Sequence, residues 1–319
     1  MTVPSGQLSF SDIGNEFGYP PNYNLGAYRI LQSVAGREWA LDTGIPSSTN
    51  ETIRFSHFQG KTLNVVVDYS GGETTSVGTA KDNYTNYGVV IGGLTSLPDS
   101  TKTKKVYHVI RRKIGNGFDS GTWDANTVLL QFIITGSGSI FGYGGNGGNG
   151  ANLDDNGDDG TAGGHALSVS YNSTVVVESS GILAGGGGGG GGGGYQYNSG
   201  PDARGAGGGG GGGAGFPAGS GGAAGRVNNG GRNNNVCQGK AGSAGSLFTG
   251  GAGAIIDCNL TGGGRGGNGG NGGDLGEGGD RGQNKSNGTG GNGGAAGNAI
   301  YHPGYTVNLS NSGSVYGSY

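Results

Sequence analysis

An excess of positive charge is missing from this chain: 18 lysines and arginines stand against 21 aspartates and glutamates, a net charge of −3. A protein without a basic field releases no counterions on meeting a phosphate backbone, which argues against DNA or RNA as a partner. Proline is scarce, 8 residues in 319, and almost absent from the repeats described below, which argues against a collagen triple helix. Cysteine is limited to Cys237 and Cys258. Two thiols so placed form a disulfide after release or stay free in a reducing cytosol, and the sequence leaves both open. No apolar run reaches the length of a membrane span, and Met1 to Phe10 lacks the charged and apolar regions of a signal peptide. The expectation is a protein made and kept in the cytoplasm, with no membrane insertion.

Recognisable catalytic and metal-binding patterns are missing too. His57, His108, His165 and His302 are far apart and share no ligand spacing with each other or with the cysteines, so no zinc site is expected. Asp154, Asp155, Asp158 and Asp159 are clustered, but their order differs from a calcium-binding loop, and solvated carboxylates are the stronger reading. Gly-x-Gly-x-x-Gly strings abound only because glycine does, and none has the strand and helix that a dinucleotide site needs. A glycan-cleaving enzyme would need paired carboxylates, which separated acids do not reveal. No enzyme, cofactor or metal is expected.

What is abundant is glycine, 83 residues concentrated between Gly142 and Gly297. Such content ordinarily signals low-complexity disorder. Here, however, the spacing is periodic. Every third residue from Tyr143 is Asn146, Asn149, Asn152, Asp155, Asp158 and Thr161, and the line recurs as Arg265, Asn268, Asn271, Asp274, Glu277 and Asp280. A period of three matches the polyproline-II conformation, which rises about 3.1 Å per residue and makes no internal hydrogen bonds. Its amides must therefore bond to neighbouring threads. A thread surrounded on all sides tolerates no side chain, as in the runs Gly185 to Gly194 and Gly207 to Gly213. A peripheral thread tolerates one side chain per turn, which makes Asn146, Asn149, Asn268 and Asn271 scaffold edges. At least about six such helices in layers are expected, a run of ten residues spanning roughly 31 Å.

The segments between the runs have another character. Tyr195 to Arg204, Arg226 to Gln238, Ser246 to Thr249 and Gln283 to Asn287 supply Tyr195, Tyr197, Arg204, Arg226, Arg232, Asn234, Phe248 and Lys285. Tyrosine, phenylalanine, arginine and asparagine are the types that build compact recognition surfaces. These residues are the candidate binding loops, against the plainer alternative that the segments simply turn the chain.

The first half of the chain reads as ordinary protein. The pattern apolar-x-Phe-Ser-x-apolar occurs at Leu8 to Ile13 and Ile53 to Phe58, where Ser11 or Ser56 is placed to cap a short helical turn. Strands are expected from Thr62 onward, at Tyr87 to Ile91, Lys105 to Arg112 and Val128 to Thr135, and later at Leu167 to Glu178 and Tyr305 to Tyr316. Turn-rich separators between short β-branched runs predict a small antiparallel β-sandwich-like domain, with Trp123 in its core or rim. Lys102, Lys104, Lys105, Arg111, Arg112 and Lys113 are read as a solvated strand face. The fold class is thus mainly β and irregular. The expected domains are an attachment module over 1–60, the β-sandwich-like domain over 61–140, and a glycine-helix domain with recognition loops and a terminal strand over 141–319.

Two resemblances add to this reading. Ser5 to Ile13, with Asn15-Glu16-Phe17-Gly18, and Ile53 to Gly60 resemble the N-terminal module of virion structural proteins of marine phages and cyanophages. The glycine runs and threefold lines are similar to the tail-fibre tip adhesins of T-even-type phages, in which polyglycine helices form a sandwich and loops contact the host. The resemblance implies a virion protein of the phage tail. Its expected partners are a host-cell surface receptor, either an outer-membrane protein or a surface glycan, other tail proteins through the N-terminal half, and, in a homo-oligomer, further copies of itself. The competing functions are a virion adaptor without a receptor and, more remotely, an ice-binding protein with a flat polar face.

Overall fold

The computed structural model describes residues 4–17, 25, 50–87, 89–91, 103–197, 204–227, 236–258 and 264–319. The architecture is mainly β, built from several largely parallel sheets. Strands β1 (Leu63–Tyr69), β2 (Val89–Ile91), β3 (Lys104–Ile110), β4 (Lys113–Ile114), β5 (Phe118–Asp119), β6 (Thr127–Ile134) and β7 (Ser139–Phe141) come first. They are followed by β8 (Leu167–Ser168), β9 (Ser173–Val177), β10 (Ile182–Ala184), β11 (Gln196–Tyr197), β12 (Arg204–Gly205), β13 (Val236–Cys237), β14 (Ile300–Tyr301), β15 (Val307–Asn311) and β16 (Ser314–Tyr316). Three of the sheets have the orders β15-β9-β6-β3-β1-β2, β16-β10-β7-β4 and β14-β8-β5. Successive passes of the chain each contribute one strand per sheet: β3, β4, β5, then β6, β7, β8, then β9, β10, β14. All neighbours in this stack pair in parallel except β1 with β2.

This overturns the expected antiparallel sandwich. The clue lay in the runs Val65-Val66-Val67, Val106 to Ile110 and Leu129 to Ile134. Their buried residues belong to clusters on both faces of the sheet, Val65 and Val67 to one and Val66 with Val109 and Ile133 to another. Continuous apolar runs mark strands covered on both sides, the habit of parallel sheets. Between residues 167 and 178 the expected strand is two strands, as is the one between 305 and 316. Lys104 is also not solvated: it is 1% exposed, and its Nζ donates to both Asp124 carboxylate oxygens at 2.9 Å.

Inside the stack, aromatic side chains from three passes meet: Tyr69, then His108, Phe118 and Trp123, then Phe132. Trp123 is buried, and its indole N–H donates to the Ser120 carbonyl. His108 is fully buried, stacks on Phe132 at 5.2 Å, and shares a 2.9 Å hydrogen bond between Nδ1 and the Tyr69 hydroxyl. Burial pushes its pKa down to about 3. Ahead of β1 lie α1 (Phe10–Phe17) and a 3-10 turn (Phe55–Phe58), and α2 (Ala80–Tyr87) falls between β1 and β2. Ser9, not Ser11, caps α1: its Oγ accepts the Asp12 amide, while Asp12 accepts the Ser9 amide at 2.7 Å. Ser56 lies inside the second turn, which is closed instead by the His57 Nδ1 accepting the Arg54 N–H.

Glycine-rich tracts leave the stack between its second and third sheets. Tracts I (142–152) and II (156–165) join β7 to β8, and tracts III (185–194), IV (205–215), V (217–227), VI (238–246), VII (249–257), VIII (264–274), IX (276–284) and X (288–298) lie between β10 and β14. The ladder runs on without a break, since Gly142 N–H donates to Ala184 and Gly185 N–H to Tyr316. Tract III makes no backbone hydrogen bond to itself. Its amides donate at every third residue to tract II (Gly186, Gly189, Gly192), to IV (Gly187, Gly190, Gly193) and to IX (Gly188, Gly191, Gly194). Its carbonyls accept in the same period from tracts I, VIII and X. From Gly186 to Gly194 every peptide group is therefore satisfied by six neighbouring tracts, and Gly185 is satisfied by Tyr316 and Gly276. Tract IV is enclosed in the same way by I, III, V, VI, VII and VIII.

The polar lines at every third residue bind the edges of this lattice. Oδ1 of Asn146, Asn149 and Asn152 accepts the amides of Ser220, Ala223 and Arg226. On the other side, Asn268 and Asn271 accept from Ile256 and Gly253, and Asp274 accepts from Gly250. The same residues reach a second neighbour, with Asn149 Nδ2 donating to Asp158 and Asn271 Nδ2 to Asp280. The side chains are at the surface, as their spacing requires, but they stitch threads together. Two hydrogen bonds are lost in Asn149→Ala, a cost of about 1–2 kcal/mol at roughly 1 kcal/mol net each. Urea unfolding measures it, and a cost of only a few tenths would show that water replaces the stitch.

Candidate functional site

Tract III starts at the β stack and ends at Gly194, beside Gln283 and Gly267. Its far end fixes which tract ends gather there: the last residues of tracts I, III, V, VII and IX and the first of II, IV, VI, VIII and X. Tyr195 follows the last glycine, is 8% exposed, and donates its hydroxyl to Asp154 Oδ1 at 2.9 Å. Burial first, then the bond to Asp154 and its charge, raise the phenol pKa. The Tyr197 amide donates to Asn287 Oδ1, tying the loop after tract III to the turn before tract X.

A small sheet then joins the loop roots. β11 pairs antiparallel with β12, which pairs in parallel with β13. The Arg204 guanidinium lies over the Tyr197 ring at 5.4 Å. Cys237, at the end of β13, is joined by a disulfide to Cys258 at the end of tract VII, with the Cα atoms 6.0 Å apart. This settles what the sequence left open. The Gln238 carboxamide brackets Val227, accepting its N–H and donating to its carbonyl, so the loop after tract V leaves and returns through one clasp. Arg226 is exposed, its amide held by Asn152. Lys285 is half-buried in the last turn, where its amide donates to Gly288.

Five of the eight candidate residues, Tyr195, Tyr197, Arg204, Arg226 and Lys285, thus share this end. Phe248 lies at the opposite end, its ring 6.0 Å from that of Phe141 in β7. Arg232 and Asn234 fall outside the described residues. Asp154, Asn287 and Gln238 hold the loop roots and were not among the candidates. Asp154 sits at a positive φ of 66°, and the Asn287-Gly288 pair is a turn signal legible in the sequence. The bonds that Asp154 and Asn287 make across 41 and 90 residues are not.

Among the described residues no group of histidines, cysteines and acids could hold a metal ion, and no helix is long and apolar enough to cross a membrane. The acidic cluster is engaged in the lattice: Asp158 accepts from Asn149, and Asp159 accepts the Asn292 amide. No curated protein and no solved structure matches the chain. The family described as phage tail fibre adhesin Gp38 matches residues 69–319, which take in all the strands from β2 onward and every glycine tract. The protein therefore belongs to the Gp38 family of phage tail-fibre adhesins.

Proposed function

We propose that this receptor-binding adhesin meets its host through the tract ends farthest from the β stack, with Tyr195, Tyr197, Arg204, Arg226, Arg232, Asn234 and Lys285 in or at the root of the contacting loops. The observation that carries the reading is the convergence there of the outer ends of all ten tracts, cross-linked by the β11–β13 sheet, the Cys237–Cys258 disulfide and the Tyr195–Asp154 bond. A surface whose roots are fixed before binding loses little conformational freedom on contact. Phe248, at the other end, is assigned to packing against Phe141.

The scaffold is read as a bundle of polyglycine-II helices. Hydrogen bonding to neighbours at every third residue, with none inside tract III, supports that conformation. The pairing pattern fits layers of three, four and three threads: II, I, V, then X, III, IV, VI, then IX, VIII, VII. Residues 1–60 are proposed to attach the protein to other tail proteins, residues 61–140 to start the β base, and residues 141–319 to carry the glycine helices. The N-terminal likeness to marine phage and cyanophage modules supports a place in the tail of the virion, after synthesis in the host cytoplasm.

The test is exchange of 195–204 and 226–238 for loops of a relative with another host. Adsorption to the original host is expected to fall to the level of a fibre without adhesin, with the protein still assembled on the virion. Unchanged host range after both exchanges would overturn the loop-end reading.

A further inference from the structure

Tracts II and X are stitched by a ladder with one rung missing. Side-chain acceptors on tract II take backbone N–H groups of tract X at a constant offset of 133 residues: Asn156 from Thr289 at 2.8 Å, Asp159 from Asn292 at 2.6 Å, and His165 Nδ1 from Asn298 at 2.9 Å. The series requires an acceptor at position 162 for the amide of residue 295. Position 162 is alanine, which has none. The Ala295 carbonyl is used, accepting from Gly163, but among the described residues its N–H, on an exposed residue, has no protein partner. A comparable gap on tract I has a local explanation, since Tyr143 stands where the series would call for an acceptor facing Pro217, which has no N–H to satisfy. At Ala162 no proline intervenes, and the Ala295 amide is left facing solvent, open to a ligand's oxygen.

The gap opens on a cleft of about 670 Å³ between the tracts and the β stack, lined by Asn116, Asp119, Tyr143, Ala162, His165 and Ala295 among others. Tyr143 is 43% exposed. Its ring is laid against tract II at Gly164, where any Cβ would overlap it, so one edge of the cleft is a fixed aromatic plate. His165 is stacked on Tyr301 at 4.4 Å, nearly parallel. Because its Nδ1 accepts the Asn298 amide, the proton of the neutral ring sits on Nε2. Burial lowers its pKa, which keeps the ring neutral. Asp119 is exposed and uses Oδ1 for the Gly121 amide. No lysine or arginine lines the cleft.

We propose that this cleft is a binding site for a neutral saccharide of one or two sugar residues. A sugar hydroxyl takes the place of the missing side-chain oxygen and accepts the Ala295 N–H. Hydroxyls both donate and accept, which matches a site that offers amide and imidazole donors beside a carboxylate acceptor. An apolar sugar face fits the Tyr143 ring. The carboxylate of Asp119, with no cation facing it, disfavours acidic sugars and phosphate.

The site is separate from the loop end, and its test needs no host cell. Saturation-transfer NMR and titration calorimetry on the full-length protein would use glucose, galactose, N-acetylglucosamine and their neutral disaccharides, with glucuronic acid and inorganic phosphate as controls. At least one neutral sugar is expected to bind. Ala162→Asn supplies the absent acceptor and fills the gap, so binding is expected to weaken at least tenfold while the melting temperature holds or rises. Tyr143→Ala is expected to weaken binding as well, and the exchanges of 195–204 and 226–238 to leave it unchanged. Failure of every neutral sugar to bind, stronger binding of the acidic controls, or wild-type affinity in Ala162→Asn would each overturn the proposal.

Discussion

Gly190→Ala is expected to abolish the folded glycine lattice, although it adds a single methyl group. That methyl would lie 2.5 Å from the Gly270 carbonyl carbon and 2.6 Å from the Asn271 carbonyl oxygen. Both are backbone atoms held by their own ladders, so no side chain can swing aside. Moving tract VIII away would also break its hydrogen bonds to tract III, which Gly191 and Gly194 receive as carbonyl acceptors. Overpacking in a yielding core costs about 1–3 kcal/mol, and here the cost is expected at the top of that range or above it. Insoluble expression, or a large fall in melting temperature, is the predicted result. In Gly278→Ala the nearest atom is 3.3 Å away, and the cost is expected to stay below about 1 kcal/mol. Equal effects of the two substitutions would show that Cβ clearance is not what selects glycine in tract III.

Acid is expected to weaken the β stack through His108. Its folded pKa, about 3, lies below the model-compound value of 6.5, so the unfolded chain binds the proton more readily. The contribution of neutral His108 is complete above pH 6.5 and is lost progressively as the pH falls from there toward 3. With 1.36 kcal/mol per unit, the full loss approaches about 5 kcal/mol, most of it accessible by pH 4. His108→Phe is expected to start less stable, since the Tyr69 hydroxyl loses its partner. Its stability should nevertheless fall less steeply between pH 6.5 and 4. Denaturant unfolding across that window measures both slopes, and parallel slopes would acquit His108.

Local patterns in the sequence carry the parts of this fold that are decided locally. The threefold spacing of Asn146 and Asn149, and of Asn268 and Asn271, marks lattice edges because the tracts bond to each neighbour at every third residue, which brings those side chains to one line. The unbroken glycine run 185–194 marks an enclosed thread because six close neighbours leave no room for a Cβ. The parallel order of β3, β6 and β9 is not legible locally, since short strands separated by turns look alike whether the chain reverses or coils onward. Lys104 was misread because its carboxylate partner lies 20 residues later. The gathering of Tyr195, Tyr197 and Lys285 at one end follows from which tracts lie side by side, and glycine carries no side chain to record that choice. Ala162 is conspicuous only once the amide it fails to meet, 133 residues along, is known from its ladder neighbours.

Tract III accepts neighbours of either polarity: tract IV runs against it, pairing Gly187 with Ala214 and Gly193 with Gly208, while tract IX runs with it, pairing Gly188 with Glu277 and Gly194 with Gln283. A lattice indifferent to chain sense can be enlarged by any out-and-back excursion of the right length, because the returning arm docks as well as the departing one. Each such excursion adds one more reversal at the outer end and leaves the existing threads in register. In a fold of this construction an outer-end turn is expected to be gained or shed in a single insertion or deletion, without the compensating core changes that a side-chain-packed domain would demand.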